Sequence, residues 1–304
     1  MVKILKMANT ADFFSGSSPY DSIFLEKTPA GMSNEDFERL AYTIKQRYGL
    51  NLEGKKSMVE SRLCFYIVDR GFHSFSEYLE TVYENGGDEM ANIINRLTTN
   101  YTYFMREQEH MRHFIDVFLP YAEKHKTDKE LCIWSAGCSF GNEAYNFAMC
   151  AEEYFQSRGT DWDKRILATD ISQNAILAAK HGMFAEAALK DLPAAWVEKY
   201  FTGKGGIYTV KPEIRSQVVF KYHNLMDPIN FKKKFDLIIC RNVMIYFDQK
   251  TKSELIKRFY DATNEGGYLY IGHAEAVPED CPYVREKTAV YRKITQVGGV
   301  QKHG

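Results

Sequence analysis

The sequence predicts an α/β fold in which an all-α domain precedes a doubly wound parallel sheet. Two observations carry this prediction. Apolar residues recur at helical spacing over residues 33–98, and from His110 onward short apolar runs alternate with helical segments. Such alternation is typical of a parallel sheet that is covered by helices.

Composition limits the class of protein. The 304-residue chain has 45% apolar and 26% charged residues and a formal charge of −1, which is typical of a globular protein of two domains and gives no global attraction to nucleic acid.

The six cysteines form no CxxC pair, so we predict free thiols and no metal site. No apolar segment has the length of a signal sequence or membrane span. We therefore expect a cytoplasmic protein without membrane insertion or nucleic-acid binding.

Four helices are predicted in residues 33–98. Ser33 is placed as the N-cap of the first helix, with Asp36 as its capping-box partner. Residues 1–32 show no sustained period and are predicted to be a poorly ordered extension, and residues 294–304 form a tail.

The second domain is predicted over residues 99–293. Its strands are placed at residues 131–135, 165–169, 218–222, 236–240, 268–272 and 289–293. Residues 183–217 interrupt the alternation, and we predict a small antiparallel insertion there, with a hairpin of Ile207–Val210 and Val218–Phe220.

A glycine turn follows the first predicted strand, in the segment WSAGCSFGNE at residues 134–143. Because glycine lacks a side chain, a ligand can approach the backbone near Gly137, and the next helix presents free amides. The spacing fits neither a P-loop nor GxGxxG. The turn is therefore either a ligand site or only a tight connection.

Asp170 ends the second predicted strand. A carboxylate at this place can accept both hydroxyls of a ribose, as it does in nucleoside-binding folds. Alternatively, Asp170 only caps the next helix. Together with the glycine turn, the position favours ribose binding.

Asn242 follows a strongly apolar strand. Ligands of open parallel sheets bind beyond the carboxyl ends of the strands, so Asn242 and Tyr246 are predicted to face the same space as Gly137 and Asp170. A lone amide after a buried strand needs a partner, which a ligand can supply. Two apolar neighbours are assigned to the core instead, Met244 and Phe247.

The segment TTNYTYFMRE at residues 98–107 joins the two predicted domains. A polar, aromatic stretch with one arginine can close over a ligand, because binding sites favour domain interfaces. An ordinary linker has a similar composition, and taken alone the segment favours a linker.

These segments, in this order and spacing, resemble the chemotaxis receptor methyltransferase (CheR) family. The resemblance covers residues 33–293. The matching segments are TTNYTYFMRE at 98–107, WSAGCSFGNEAY at 134–145, ATDIS at 168–172, FKYHNLMD at 220–227, FDLIICRNVMIYFD at 235–248 and GGYLYIGHAE at 266–275. CRNVMIYF and TTN…FxRE are specific to this family, whereas the glycine turn is shared widely among methyltransferases.

The resemblance implies a Rossmann-like domain that binds S-adenosylmethionine and carries a small antiparallel subdomain. It also implies methyl-ester formation on glutamate carboxylates of chemotaxis receptors for sensory adaptation, with S-adenosylhomocysteine as product. Residues at the family's cofactor positions are Asn100, Thr102, Arg106, Glu143, Asp170, Asn224, Leu225, Asn242 and Val243. Our reasoning from the strand ends adds Gly137.

The implied reaction needs no general base, because a methyl sulfonium is activated and a glutamate carboxylate is ionised at neutral pH. Proximity and orientation should therefore dominate. Arg106 is suited to hold a carboxylate, either that of the cofactor or that of the glutamate, and Tyr246 is placed beside the methyl-transfer path.

The glycine turn departs from the family's usual GCSTGEEPYS. The acid Glu143 is kept, but four other positions differ, at Phe140, Asn142, Ala144 and Asn146. Phe104-Met105 replaces the usual pair of phenylalanines. We expect Phe140 to narrow the cofactor pocket and to weaken binding.

The second helix carries a basic group of residues, Lys55, Lys56, Arg62 and Arg70. In relatives, such a face is used against acidic receptor helices, which fits electrostatic steering. A merely solvated face is the alternative, since acidic residues dilute the group. The loop at residues 202–206 is shorter than in relatives that grip a receptor tail peptide, so we expect an enzyme that is independent of such a tether. We also expect a monomer.

Two other classes compete with this assignment. One is a small-molecule or nucleic-acid methyltransferase, which would share the glycine turn. DNA amino-methyltransferases, however, carry an (N/D)PPY-like segment after the fourth strand, where this chain has Arg241-Asn242-Val243-Met244. A non-catalytic adaptor that binds a receptor or signalling partner through the same fold is the other alternative, because the glycine turn is altered.

Overall fold

The computed structural model describes residues 31–294; the predicted N-terminal extension and C-terminal tail lie almost wholly outside the described residues. The chain separates into two compact units. The first comprises the described residues up to Leu40 and Gly54–Gly87, and the second Ala41–Glu53 and the residues from Asp88 onward. The predicted domain limits follow a different division and stay a prediction.

The first unit is helical. Its elements are α1 (Asn34–Tyr48), which continues into the second unit, α2 (Lys56–Asp69) and α3 (Phe75–Asn85). Ser33 is the N-cap of α1 as predicted, since its Oγ accepts the N–H of Asp36 at 3.0 Å. Ser74 caps α3 by accepting the N–H of Glu77 at 3.1 Å. Both caps satisfy amides that have no partner inside the helix.

The second unit contains the sheets and the remaining helices. Its helices are α4 (Asp88–Leu97), α5 (Gln108–His113), α6 (Leu119–His125), α7 (Asn142–Gln156), α8 (Gln173–His181), α9 (Ala194–Tyr200), α10 (Pro212–Arg215) and α11 (Gln249–Ala262). A π-helical turn, Phe114–Phe118, joins α5 to α6. Among residues 31–294, no helix has both the length and the apolar character needed to cross a membrane.

Within the described part of the chain, ten strands form two sheets. They are β1 (Ile133–Ala136), β2 (Ile166–Asp170), β3 (Met183–Ala185), β4 (Phe201–Lys204), β5 (Ile207–Val210), β6 (Val218–Tyr222), β7 (Phe235–Cys240), β8 (Thr263–Ile271), β9 (Val284–Lys287) and β10 (Val290–Arg292). The main sheet has the order β6-β2-β1-β7-β8-β10-β9. Its first five strands are parallel, and β10 and β9 are antiparallel additions. The predicted doubly wound parallel sheet is confirmed.

The centre of the main sheet is buried because its strands are apolar on both faces. Every residue of β1 and β7 is buried. The indole N–H of Trp134 donates to Thr169 Oγ1 at 2.9 Å, so the polar atom of this buried ring has a partner. The predicted start of β8 at residue 268 was wrong. The strand begins at Thr263 and includes Gly266 and Gly267. Because glycines are unusual inside a strand and have no side chain, they interrupt the apolar pattern from which the start was predicted.

A second sheet, β3-β5-β4, forms the small antiparallel subdomain. The predicted hairpin of Ile207–Val210 with Val218–Phe220 was wrong. Residues 207–210 pair with β3 and β4, whereas Val218–Tyr222 pairs in parallel with β2. Gly205 and Gly206, with φ of +60° and +76°, make the tight turn between β4 and β5 that the alternation alone did not reveal.

His113 is a buried imidazole outside the predicted site. Tyr270 donates its hydroxyl to Nδ1 at 2.6 Å, and Nε2–H donates to Glu286 at 3.2 Å. Burial lowers the pKa of His113 below its ordinary value of 6.5, against the opposing effect of Glu286. The unfolded chain therefore takes up a proton at higher pH than the folded chain.

Neutral His113 stabilises the folded state fully above pH of about 6.5, the pKa of histidine in the unfolded chain. This stabilisation should be lost as the pH falls toward the lower pKa that His113 has in the folded chain. We expect the drop in melting temperature between pH 7.5 and pH 5.5 to be smaller in His113→Gln than in the wild type. The exposed His181→Gln serves as control and should keep the wild-type drop. An equal drop in His113→Gln would contradict the prediction.

Candidate functional site

A cleft lies at the carboxyl ends of four parallel strands. Gly137 follows β1, Asp170 ends β2, Asn224 lies beyond β6 and Asn242 lies beyond β7, and all four line the cleft. The strand order changes direction between β1 and β7, which is where open α/β sheets bind their ligands. The strand ends thus meet as the sequence predicts.

All ten residues predicted to hold the cofactor line this cleft. They are Asn100, Thr102, Arg106, Gly137, Glu143, Asp170, Asn224, Leu225, Asn242 and Val243. Their individual roles in binding stay predictions. Residues 99–106, whose composition alone favoured a linker, form one wall of the cleft. This wall is joined to the glycine turn, since Ser139 Oγ donates to the Asn100 carbonyl at 3.1 Å.

The glycine turn lines the cleft at Gly137 and leaves no room for side chains at Gly137 and Gly141. Gly137 has a φ of +97°. A Cβ built there would overlap the side chain of Val243, and one at Gly141 would lie 3.0 Å from Ala179 and Phe220. The N–H groups of Gly137 and Cys138 both donate to the Thr169 carbonyl, at 2.8 and 2.9 Å. The turn therefore brings bare backbone to the cleft wall.

Asp170 is not the cap of the next helix. Ser172 caps α8, with its side chain accepting the N–H of Ala175 at 3.1 Å. The two oxygens of Asp170 instead accept the N–H groups of Ser139 and Ser172, each at 2.8 Å. Burial raises the pKa of Asp170, and these backbone hydrogen bonds oppose the rise. Each oxygen keeps a lone pair for a hydroxyl donor.

Of the four departures in the glycine turn, Asn146 lines the cleft, whereas Phe140, Asn142 and Ala144 do not. Phe140 is 40% exposed, and Asn142 is buried in the first turn of α7. Neither residue is among those that line the cleft. The structure therefore gives no support to the expectation that Phe140 narrows the pocket. Met105, which replaces a usual phenylalanine, does line it.

A buried ion-pair network lies in the wall of the cleft, which Arg241 and Glu143 both line, and sequence reasoning missed its centre, Arg241. The guanidinium of Arg241, with a side chain that is 2% exposed, donates to Glu107 Oε2 at 3.1 Å and to Glu143 Oε2 at 3.2 Å. It also donates to the backbone carbonyl of Arg106. One cation thus joins the 99–106 wall, the helix after the glycine turn and the end of β7.

The pKa values of the two carboxylates in the network are shifted in opposite directions. Burial alone would raise the pKa of Glu107, but the His110 imidazole, with Nδ1 3.3 Å from Oε2, and the charge of Arg241 hold that pKa well below its usual range. Burial raises the pKa of Glu143, against the opposing effects of Arg241 and of Ser135, whose hydroxyl donates to Oε1 at 2.7 Å. The Glu143 carboxylate therefore depends on Arg241 for its charged form.

Arg106 lines the cleft, and its guanidinium has few contacts with other protein groups. Its Nη1 donates to the Tyr101 carbonyl at 2.9 Å. The guanidinium carbon is 5.9 Å from the ring centre of Tyr101 and 5.7 Å from that of Tyr103. This is the range of a weak cation–π contact. Arg106 therefore keeps donors that can turn to an anionic ligand.

One of the residues near the end of β7 differs from its predicted place. Tyr246 does not line the cleft, and its carbonyl accepts the N–H of Asn51 at 2.8 Å, so its role beside the methyl-transfer path stays a prediction. Phe247, assigned to the core, is only 7% exposed and also lines the cleft. Met244 is fully buried, as expected for a core residue.

Asn224 and Leu225 came from the resemblance alone. Asn224 donates Nδ2–H to the Arg47 carbonyl at 2.7 Å, and its Oδ1 accepts the N–H of Met226 at 3.0 Å. These two bonds close the bend after β6, and Leu225 packs into the cleft wall with 7% exposure. No local pattern in the sequence marks this bend.

The basic residues predicted for receptor docking lie on α2 or at its ends in the first unit. They are Lys55, Lys56, Arg62 and Arg70. Lys56 Nζ donates to Asn34 Oδ1 at 2.7 Å, and the Arg70 guanidinium is 5.6 Å from the ring centre of Tyr66. Their docking role stays a prediction.

Side chains that could hold a metal ion occur beside the network. Glu107, His110 and His273 have ligand atoms within 4.8 Å of one another. The Glu107 carboxylate already pairs with Arg241, and a second cation there would be repelled by the guanidinium. The six cysteines all carry free thiols.

The cleft fits a nucleoside that carries an amino-acid end. Asn242 Oδ1 is buried and has no hydrogen-bond partner within the protein, so it calls for a donor from a ligand. Asp170 offers acceptors for ribose hydroxyls, and Arg106 offers donors for a carboxylate. S-adenosylmethionine has all three complementary groups.

Gly137→Ala should weaken binding of S-adenosylhomocysteine by about tenfold or more, because the new Cβ displaces Val243 from the cleft wall. Titration calorimetry measures the dissociation constant. Gly159→Ala is a matched control, since Gly159 also has positive φ, +63°, but a Cβ there meets nothing within 4 Å. Unchanged affinity in Gly137→Ala would show that the turn tolerates a side chain.

Comparison with known proteins agrees with this geometry. A family described as "CheR methyltransferase, SAM binding domain" matches residues 100–291, and "CheR methyltransferase, all-alpha domain" matches residues 35–98. A chemotaxis protein methyltransferase of Borreliella burgdorferi is 38% identical over 253 residues, covering 81% of this chain and 89% of that protein.

Two further relatives have similar coverage. Chemotaxis protein methyltransferase 1 of Pseudomonas aeruginosa is 32% identical over 250 residues, covering 81% of this chain and 91% of that protein. The chemotaxis protein methyltransferase of Escherichia coli is 33% identical over 262 residues, covering 84% of this chain and 89% of that protein. The comparisons lend no support to a non-catalytic adaptor. The chain belongs to the CheR family of S-adenosylmethionine-dependent methyltransferases.

Proposed function

We propose that this protein methylates glutamate side-chain carboxylates of chemotaxis receptors and forms glutamyl methyl esters. One observation carries the proposal: Asp170, Asn242 and Arg106 line one cleft at the strand ends of a CheR-family chain. The naming of its relatives as chemotaxis protein methyltransferases supports a receptor as substrate.

The chemistry asks little of the protein. Bound S-adenosylmethionine supplies a methyl group that is already activated by a sulfonium. The receptor glutamate, with an ordinary pKa of about 4.3, is ionised at neutral pH and attacks without a general base. The residues of the cleft then have to orient the reactants in line and exclude water.

The cleft residues divide this work. Asp170 accepts the ribose hydroxyls, and Asn242 Oδ1 accepts a donor from the amino-acid end of the cofactor. Arg106 holds a carboxylate, that of the cofactor or that of the receptor glutamate. Arg241 fixes the walls that carry Arg106 and Glu143, so it acts on both through geometry.

Receptor contact is proposed for the basic residues of α2, which would steer an acidic helix toward the enzyme. The β4–β5 turn at Gly205 and Gly206 is tight, which supports an enzyme that does not grip a receptor tail peptide. We further propose that the protein acts as a monomer in the cytoplasm. Measurable affinity for a receptor tail peptide would contradict the tether-independent part.

The test is transfer of a radiolabelled methyl group from S-adenosylmethionine to receptor-containing membranes. We expect label on the receptor that is released as methanol by mild base, because esters hydrolyse and N-methyl groups do not. A receptor whose methylated glutamates are changed to alanine is the matched control and should stay unlabelled. Base-stable label, or label on another membrane component, would contradict the proposal.

A further inference from the structure

Glu275 lies in the turn after β8, beside the turn that follows β7. Its carboxylate accepts three backbone N–H groups. Oε2 accepts those of Gly272 at 2.6 Å and Asn242 at 2.9 Å, and Oε1 accepts that of Ile245 at 3.2 Å. This half-buried carboxylate therefore ties together the ends of two neighbouring parallel strands.

The turn that Glu275 holds has an unfavourable backbone. Asn242 has a φ of +59°, a left-handed conformation that is unfavourable for a residue with a Cβ, although asparagine tolerates it better than most. Such a conformation persists only where surrounding contacts fix it. The hydrogen bond from the Asn242 N–H to Glu275 is one such contact, and it acts on the strained residue itself.

This backbone conformation determines where the Asn242 side chain points. Nδ2 lies 3.4 Å from Glu107 Oε1, which leaves Oδ1 as the buried, unpartnered acceptor at the cleft. The next residue, Val243, fills the space beside Gly137. A shift of the turn would therefore move an acceptor and an apolar wall of the cleft together.

Gly272 closes the arrangement from the other side. A Cβ built on Gly272 would lie 2.5 Å from Asn242 Nδ2 and 2.9 Å from both the Asn242 nitrogen and Glu275 Oε2. Only glycine lets the two turns approach this closely. The carboxylate and the glycine thus hold Asn242 from opposite sides.

We propose that Glu275 is a positioning residue for the cofactor, which it serves by holding Asn242 and Val243 in the geometry that binds S-adenosylmethionine. The inference rests on the cofactor site and does not depend on the identity of the methyl acceptor. A carboxylate is needed because both of its oxygens accept backbone N–H groups. In glutamine one oxygen becomes an NH₂ group, which places donor against donor.

The test is calorimetric titration of the full-length chain with S-adenosylhomocysteine. Glu275→Gln should raise the dissociation constant by about tenfold, as expected when a hydrogen-bonded backbone group loses its acceptor. Glu279→Gln, an exposed glutamate of the same segment, is the matched control and should bind like the wild type. In steady-state assays, KM for S-adenosylmethionine should rise more than kcat falls.

A double-mutant cycle separates positioning from a general structural role. Asn242→Ala should itself weaken binding, and adding Glu275→Gln to it should raise the dissociation constant by less than the factor seen in the wild-type background, because only the contribution of Val243 is left to lose. If Glu275→Gln is poorly folded, Gly272→Ala disturbs the same turn with Glu275 intact and should weaken binding to a similar extent.

Three outcomes would overturn the inference. They are wild-type affinity in Glu275→Gln, wild-type affinity in Gly272→Ala, and an undiminished effect of Glu275→Gln in the Asn242→Ala background. Each leaves the proposed function standing. A wild-type chain that binds no S-adenosylhomocysteine would overturn both.

Discussion

Arg241→Met is expected to lower the free energy of unfolding by about 3–5 kcal/mol, because removal of one partner leaves buried carboxylates without a counter-charge. Arg241 is 2% exposed at its side chain and pairs with Glu107 and Glu143, each 13% exposed. Its loss also frees the Arg106 carbonyl from its donor. Urea unfolding, followed by circular dichroism, measures the change.

The pH dependence of the deficit identifies its cause. Without Arg241, the pKa values of Glu107 and Glu143 should rise in the folded state, so protonation as the pH falls favours the folded variant. The deficit should therefore shrink between pH 7.5 and pH 5. Arg165→Met is the matched control, since Arg165 and Asp163 form an ion pair of 65% and 36% exposure that contributes little. A deficit in Arg241→Met no larger than in Arg165→Met would show that the network is not stabilising.

The parallel sheet could be predicted from the sequence because its central strands are buried on both faces and therefore form apolar runs. Val218–Tyr222 has the predicted bounds, and the strand that ends at Cys240 begins only one residue earlier than predicted. Pairing could not be predicted in the same way. Val218–Tyr222 alternates buried and exposed residues at its start, like a hairpin strand, although its neighbour is β2. Partner choice is a long-range property, whereas alternation is a local one.

The site could be predicted in part, because several of its residues stand at the ends of strands that the apolar runs reveal. Gly137, Asp170 and Asn242 stand at strand ends, and the rule that such ends meet is independent of the intervening chain. Arg241 directly precedes Asn242, but its partners Glu107 and Glu143 are far away in the sequence. Nothing local marks it as buried. Glu275 was missed likewise, because its hydrogen bonds go to backbone atoms of another turn.

The two arginines at this site, Arg241 and Arg106, differ in burial and in the number of protein groups that hold their guanidinium. Arg241 is buried, and its guanidinium is held by Glu107, Glu143 and the Arg106 carbonyl. Arg106 is half-buried, donates to one carbonyl and lies near two tyrosine rings. Substitution of Arg241 should therefore affect folding first, and substitution of Arg106 should affect the reaction.

Arg106→Ala is expected to reduce kcat/KM for methyl transfer by about 100-fold or more, the loss typical of removing one charged donor from a reacting site. Its melting temperature should stay close to that of the wild type, because the side chain has few internal contacts. Arg112→Ala, an exposed arginine on α5, is the matched control and should keep full activity. Near-normal methyl transfer by folded Arg106→Ala would reject the role.

The same variant decides which carboxylate Arg106 holds. If it holds the carboxylate of the cofactor, the dissociation constant for S-adenosylhomocysteine should rise together with KM for S-adenosylmethionine. If it holds the receptor glutamate, cofactor affinity should be unchanged and the loss should fall on the receptor. Arg106→Lys keeps the charge but loses the planar fork, so it should recover only part of the activity in either case. Full recovery with lysine would mean that charge alone, and not bidentate geometry, orients the carboxylate for methyl transfer.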